Sequence, residues 1–171
     1  MSNNVVLACG LQRAYFNSEG TKYLGERAEI LKVRMVEFLK SVSKDTVIYY
    51  IREVHQTNDT FFLNCKSYAL VGTPDIEIPE VFKTYPKFIV NTTRYNALYR
   101  TPLESELKKL SPKIITVVGV ETHTTILYTA EELRNIGYEV VVPEPLTCSE
   151  DDYLHTAGIN FLSNTLSVRV E

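Results

Sequence analysis

The chain has 171 residues, with 18 Lys and Arg against 21 Asp and Glu and a formal charge of −3. That length suits one domain, residues 1–171, with a sizeable core, and the charge supplies no net basic surface for a nucleic-acid partner. Apolar residues make up 44%, which excludes disordered and collagen-like classes, and apolar runs of about six residues fall far short of the roughly 20 that span a bilayer.

Val5–Cys9 is a short, wholly apolar run and predicts a strand buried on both faces. Glu26–Leu39 carries Ala28, Leu31, Met35, Phe38 and Leu39 at helical spacing. Thr46–Ile51 is β-branched and aromatic, a second strand. Residues 52–87 read as irregular, punctuated by Gly72-Thr73-Pro74 and Pro79. Phe88–Val90 predicts a third strand. Thr101-Pro102-Leu103-Glu104 reads as an N-cap with Pro at the first helical position, and Leu103, Leu107 and Leu110 carry the helix to Ser111-Pro112. Ile114–Val118 predicts a fourth strand, Gly119–Thr122 a turn, and Thr125–Ile136 a helix closed by Gly137 at C′. Tyr138–Val142 predicts a fifth strand. Ser149–Asp152 caps a helix to about Leu162, and Leu166–Val170 is a candidate last strand. Strands alternating with helices predict a three-layer α/β/α fold with a central, mostly parallel sheet of five to six strands.

In such a sheet ligands sit beyond the carboxyl ends of the strands. Those ends hold Cys9–Gln12, Arg52–His55, Asn91–Arg94, Gly119–Thr125 and Pro143–Thr147. No G-x-G-x-x-G follows the first strand, and neither a phosphate-binding G-x-x-x-x-G-K-[ST] nor a G-x-S-x-G elbow is present. Three cysteines, Cys9, Cys65 and Cys148, are an odd number without metal-ligand spacing. Free thiols in a reducing cytoplasm are expected, and Met1–Asn4 lacks the basic start of a signal peptide.

Four segments carry a resemblance. Gly119-Val120-Glu121-Thr122-His123-Thr124-Thr125 resembles the G-[VI]-x-T-x-x-C turn of the isochorismatase-like, or cysteine hydrolase, superfamily. Leu7-Ala8-Cys9-Gly10-Leu11-Gln12 resembles its first strand, which ends in Asp-x-Gln. Gly72–Ile78 resembles its G-T-P-G-A-E-[IL] loop, and Asn91–Leu98 with Thr101 and Leu103 resembles its K-x-x-[YF]-S-A-F-x-x-T-x-L segment. Tyr138–Ser149 and His155 continue like its last strand and helix. The four come in the family's order and cover nearly the whole chain. The resemblance implies a Rossmann-like α/β fold, dimers or tetramers, a cis peptide at Val120–Glu121 that aims backbone N–H groups at an oxyanion, and hydrolysis by an Asp-Lys-Cys triad.

The triad positions hold different residues. Gly10 stands for the Asp, Thr92 for the Lys and Thr125 for the Cys. No ionisable group remains among the three. A hydroxyl at neutral pH is a poor nucleophile without an adjacent base, and Gly10 also removes the acid with which isochorismatases protonate an enol ether. Gln12, Val120, Glu121, Thr124 and Tyr95 remain as pocket or oxyanion residues, and Tyr15 and Tyr68 are candidates to fill the pocket. His123, two residues before Thr125, is the candidate substitute base. Arg94 and Arg13 lie at the rim, where solvated arginines or anion holders are both open readings. Cys9 should point away from the site because adjacent strand side chains alternate, and His155 should pack or cap.

Glu53-Val54-His55 resembles the Asp-x-His metal pair of nicotinamidases, but Tyr68 occupies the position of the later His. Two ligands do not make a divalent site, so neither metal nor cofactor is expected. The sequence thus predicts a non-catalytic or strongly altered small-molecule-binding, oligomeric protein. The alternative is a hydrolase of a small amide, ester or enol ether that uses Thr125 with His123. Neither a nucleic-acid nor a membrane partner is expected.

Overall fold

Val5–Cys9 forms β1, buried at all five positions because it occupies the middle of the sheet. The structure, a computed structural model, describes residues 4–85 and 88–171. Strand β2 (Val47–Glu53) and strand β4 (Ile114–Val120) pair with β1 on its two sides, and β3 (Phe88–Thr92) pairs with β2. Beyond β4 come β5 (Glu139–Val142) and β7 (Arg169–Val170), while β6 (Thr147–Cys148) pairs with the end of β4. Every pairing is parallel. The order β3-β2-β1-β4-β5-β7 reverses direction between β1 and β4, and a crevice opens where the connections diverge.

The pleat sends alternate β1 side chains into two cores. Val5, Leu7 and Cys9 pack with helices α4 (Leu103–Leu110) and α5 (Leu127–Asn135) through Leu103, Leu107, Ala130 and Leu133. Val6 and Ala8 pack on the opposite face with α1 (Arg13–Phe16) and α2 (Glu26–Ser41), where Ala28, Leu31, Met35 and Leu39 form the buried stripe. A short α3 spans Glu80–Lys83 and α6 spans Asp152–Asn160. The layered parallel fold agrees with the sequence expectation, with seven strands among the described residues in place of five or six.

The differences lie at element ends. Strand β2 runs on to Glu53, because Arg52 and Glu53 continue the ladder onto Asn91 and Thr92. The helix expected from Thr125 is preceded by a π turn over Thr122–Ile126, and α6 ends at Asn160 in a second π turn over Phe161–Thr165. The cap of α6 is Asp151, whose carboxylate accepts from Leu154 N at 2.7 Å. Gly137 follows α5 at φ 97°, the expected left-handed C′ residue. The last strand shortens to two residues, since only Arg169 and Val170 reach β5.

Candidate functional site

Cys9 and Gly119 are register partners in β1 and β4, so Gly10, just past β1, lies beside Val120, the last residue of β4. A Cβ on Gly119 would lie 2.0 Å from Cys9 O, which only glycine permits. The Val120–Glu121 peptide is cis, as the resemblance implies. The π turn that follows places Thr125 beneath the crevice, 1% exposed.

The residues expected at the triad positions, Gly10, Thr92 and Thr125, lie after β1, at the end of β3 and in the turn after β4, and each is accounted for within the protein. Gly10 adopts φ 65°, and a Cβ there would meet Val120 Cγ2 at 2.6 Å and Val120 O at 2.8 Å. The slot therefore has no room for any side chain. The Thr92 hydroxyl donates to Arg94 O at 2.8 Å and accepts from Arg94 N at 3.2 Å, so it shapes the turn after β3. The Thr125 hydroxyl donates to Glu53 Oε1 at 2.8 Å.

Glu53 is the organising group of the corner. Its other oxygen accepts from Tyr15 OH at 3.0 Å. Its backbone is clamped by Gln12, whose Oε1 accepts from Glu53 N at 2.8 Å and whose Nε2 donates to Glu53 O at 3.2 Å and Asp75 O at 3.3 Å. Gln12 therefore positions Glu53 and does not line an open pocket. Burial alone would raise the Glu53 pKa. The polar groups of His55, Tyr68 and Thr125 and the charge of His55 outweigh it and hold the carboxyl below its ordinary range. From the sequence Glu53 appeared only as half of a metal remnant. Its reach to Thr125 is a tertiary contact across 72 positions.

His123 is not the base on Thr125. Its Nδ1 lies 2.9 Å from Ser149 Oγ, and a carboxylate occupies the position beside the Thr125 hydroxyl. His155 packs as expected, with Nδ1 at 2.9 Å from Thr122 Oγ1. Arg94 is also unavailable as a substitute: its guanidinium holds Asp59 with two bonds of 2.9 and 3.1 Å and also donates to Thr93 O. Arg13 pairs with Glu77 at 3.3 Å. Cys9 lies in the core on the α4–α5 side, where burial and then Glu53 push its thiol far up, so it is inert.

The donor set does not fit the metal that the fold family implies. Glu53 is engaged by Thr125 and Tyr15. His55 is ringed by Phe61, Phe62 and Tyr68, with Nε2 3.9 Å from Glu53 and Nδ1 3.7 Å from Asp59. Among the described residues no three of His, Cys, Asp and Glu group as a metal site.

Lys22, on the loop between α1 and α2, escaped the sequence reading because nothing in its polar neighbourhood marks it. Its Nζ pairs with the buried Glu121 at 2.5 Å and lies 4.9 Å from the Tyr68 ring centroid and 5.6 Å from that of Tyr15. Glu121 Oε1, Thr124 Oγ1, Tyr68 OH and both His55 ring nitrogens are buried with no protein hydrogen-bond partner. A 390 Å³ cavity opens outward from Lys22, Tyr68 and Tyr95, with Cys65, Lys66 and Ser67 on its wall. Tyr95, partly buried there, has its hydroxyl pushed up to about 12, first by burial and then by Glu53 and Glu121. Chemically the corner offers a carboxylate oxygen without a protein partner beside a cation, and that cation lines an aromatic cavity.

Comparison with known proteins places this geometry. Residues 4–169 match the isochorismatase domain family model. A 93-residue stretch is 31% identical to Nicotinamidase 3 of Arabidopsis thaliana, covering 53% of this chain and 47% of the relative, so the match spans about half the length of that curated relative. A nicotinamidase/pyrazinamidase of Bacillus subtilis superposes with a TM-score of 0.89 at 18% identity, covering 98% of both chains. N-carbamoylsarcosine amidase of Thermoplasma acidophilum superposes at 0.86 with 12% identity, over 99% of this chain and 95% of that one. An isochorismatase-like hydrolase of Alkaliphilus metalliredigens gives 0.86 at 21% identity, over 99% and 94%. With almost the full chain matched by the family model and the sheet order, switch-point crevice and cis turn in place, the protein belongs to the isochorismatase family.

Proposed function

We propose that the chain is a pseudoenzyme of this family, which does not hydrolyse through the Thr125 position and keeps the neighbouring cavity as a small-molecule-binding pocket. The observation that carries this is the sealed triad corner. Gly10 leaves no room for an acid, Thr92 serves a turn, and the Thr125 hydroxyl is capped by Glu53. The binding half of the proposal rests on the cavity before Lys22, Tyr68 and Tyr95 and on the buried polar atoms beside it that lack protein partners, since such atoms call for water or ligand. Free Cys9, Cys65 and Cys148 accord with a reducing compartment, and we place the protein in the cytoplasm on that ground.

One observation favours a second reading, a hydrolase with Thr125 as nucleophile: a carboxylate does accept the Thr125 hydroxyl at 2.8 Å. Acid–base strength argues against it. A general base works best with a pKa near the working pH, and enzymes raise a carboxyl to about 6–7 for that task. Glu53 is shifted the other way, and each unit of mismatch adds about 1.4 kcal/mol to the proton transfer.

The test is ammonia release from nicotinamide, pyrazinamide and N-carbamoylsarcosine by purified protein, alongside Thr125→Ala. The expected rate is that of buffer for both proteins. Turnover in the wild type that disappears in Thr125→Ala would overturn the proposal. Binding is read separately, by thermal shift and calorimetry with nicotinamide as the probe.

A further inference from the structure

The cavity before Tyr68 and Tyr95 is bordered by two side chains of opposite charge. Lys66 stands on the long segment between β2 and β3, and Glu150 on the turn between β6 and α6. Both residues are exposed, and among the described residues neither has an ion-pair or side-chain hydrogen-bond partner. They do not pair with each other either, although they line one space of 390 Å³. Lys22, the other cation on the wall, is already held by Glu121 at 2.5 Å. Rings make up much of the remaining wall, from Tyr23, Tyr68 and Tyr95.

A wall of this kind selects by charge. A neutral ligand leaves both charged groups to water. An anion gains Lys66 and is opposed by Glu150, and a cation gains Glu150 and is opposed by Lys66. A zwitterion meets both with the favourable sign, and each of its ends makes a charge-assisted hydrogen bond. The tyrosine rings call for an apolar, flat body on the same molecule.

We propose that this cavity binds a zwitterionic aromatic amino acid, with its carboxylate on Lys66, its ammonium on Glu150 and its ring against Tyr68 and Tyr95. The inference rests on the reading of the cavity as a small-molecule pocket and names the ligand class for it. An α-amino acid carries both charged groups at one carbon, which leaves its side chain to enter the aromatic part of the cavity.

Cys65, an exposed thiol on the same wall, gives a local readout. Calorimetry of the full chain with L-phenylalanine, phenethylamine and hydrocinnamate is run beside the rate of Cys65 alkylation by iodoacetamide in the presence of each. L-Phenylalanine should bind and slow the alkylation. Loss of either charge from the probe should raise the Kd about tenfold, the scale of one charge-assisted contact. Lys66→Glu and Glu150→Lys should each weaken phenylalanine to a similar extent. The double variant should recover most of that loss, because the zwitterion can then seat with its ends exchanged. A phenylalanine Kd no lower than that of either analogue overturns the proposal, as do charge reversals without effect. Should a charge variant misfold, the analogue series on the wild type decides alone. Nicotinamide separates this inference from the pocket reading. If nicotinamide slows Cys65 alkylation and phenylalanine does not, the ligand class is wrong and the pocket stands; if neither does, both fall.

Discussion

Gly10 decides more than any ionisable group in the corner. Its φ of 65° and the 2.6 Å that would separate a Cβ there from Val120 Cγ2 leave no space for a side chain at this position. Gly10→Asp should lower stability by about 1–3 kcal/mol, the usual range for a side chain forced into a disfavoured backbone region, read as a drop in urea midpoint at constant m. Thr125→Cys tests the opposite repair. The new thiol would lie at a position 1% exposed and within reach of the Glu53 carboxylate, the two influences that already push Cys9 up. It should stay protonated, resist alkylation by iodoacetamide in the native protein and release no ammonia from amides. Rapid labelling near neutral pH would show instead a thiolate-stabilising site. The candidate triad positions could be proposed from the sequence because each sits inside a contiguous motif. The roles of Glu53 and Lys22 were not, because both arise from contacts across the fold: 72 positions separate Glu53 from Thr125, and 99 separate Lys22 from Glu121.

At the scale of elements, the strands and long helices were legible from period and cap, whereas the π turn at Thr122–Ile126 was not. Its residues form no helical stripe of their own, and its shape is set by what packs on it. Gly158 in α6 is one such neighbour. A Cβ there would lie 2.9 Å from His123 N and 3.0 Å from His123 Cα. Alanine is better than glycine in a helix by about 1 kcal/mol, so on propensity Gly158→Ala should stabilise. The contact is with backbone, which cannot swing aside, and thermal unfolding should show a net loss. A gain in melting temperature would mean that the π turn moves freely against α6. The loop at Asp59 offers a pH-dependent counterpart. Hydrogen bonds from Arg94 and Phe61 N hold the Asp59 carboxyl down at about 2, against an ordinary 3.8. A carboxyl depressed in the folded state stabilises above its unfolded pKa, and that contribution is lost as pH falls through the folded value. Wild type should therefore lose stability between about pH 4 and pH 2 more steeply than Asp59→Asn, as measured by acid titration of urea midpoints.

For the whole molecule, the question is whether the two cores fold as one unit. Strand β1 contributes to both: Leu7 and Cys9 to the α4–α5 side, Val6 and Ala8 to the α1–α2 side. Neither side can open without exposing a strand that is buried at every position, and this couples them. The three cysteines report on the coupling because they sample different depths. Cys65 is exposed, Cys148 is partly buried against the α1–α2 core with its thiol pushed up to about 12 by burial and Glu121, and Cys9 is buried in the other core. In native protein a thiol reagent should modify Cys65 at once. Cys9 and Cys148 should react only through opening, and with rising urea their rates should converge on one slope, that of global unfolding. Convergence would establish a single cooperative domain of 171 residues, in which the sealed corner at the carboxyl ends of β1 and β4 shares the stability of the sheet. If Cys148 instead opened with a much shallower slope than Cys9, the α1–α2 layer with its Lys22 loop would be a separate, weaker unit, and access to the cavity before Tyr68 and Tyr95 would be governed by that layer alone.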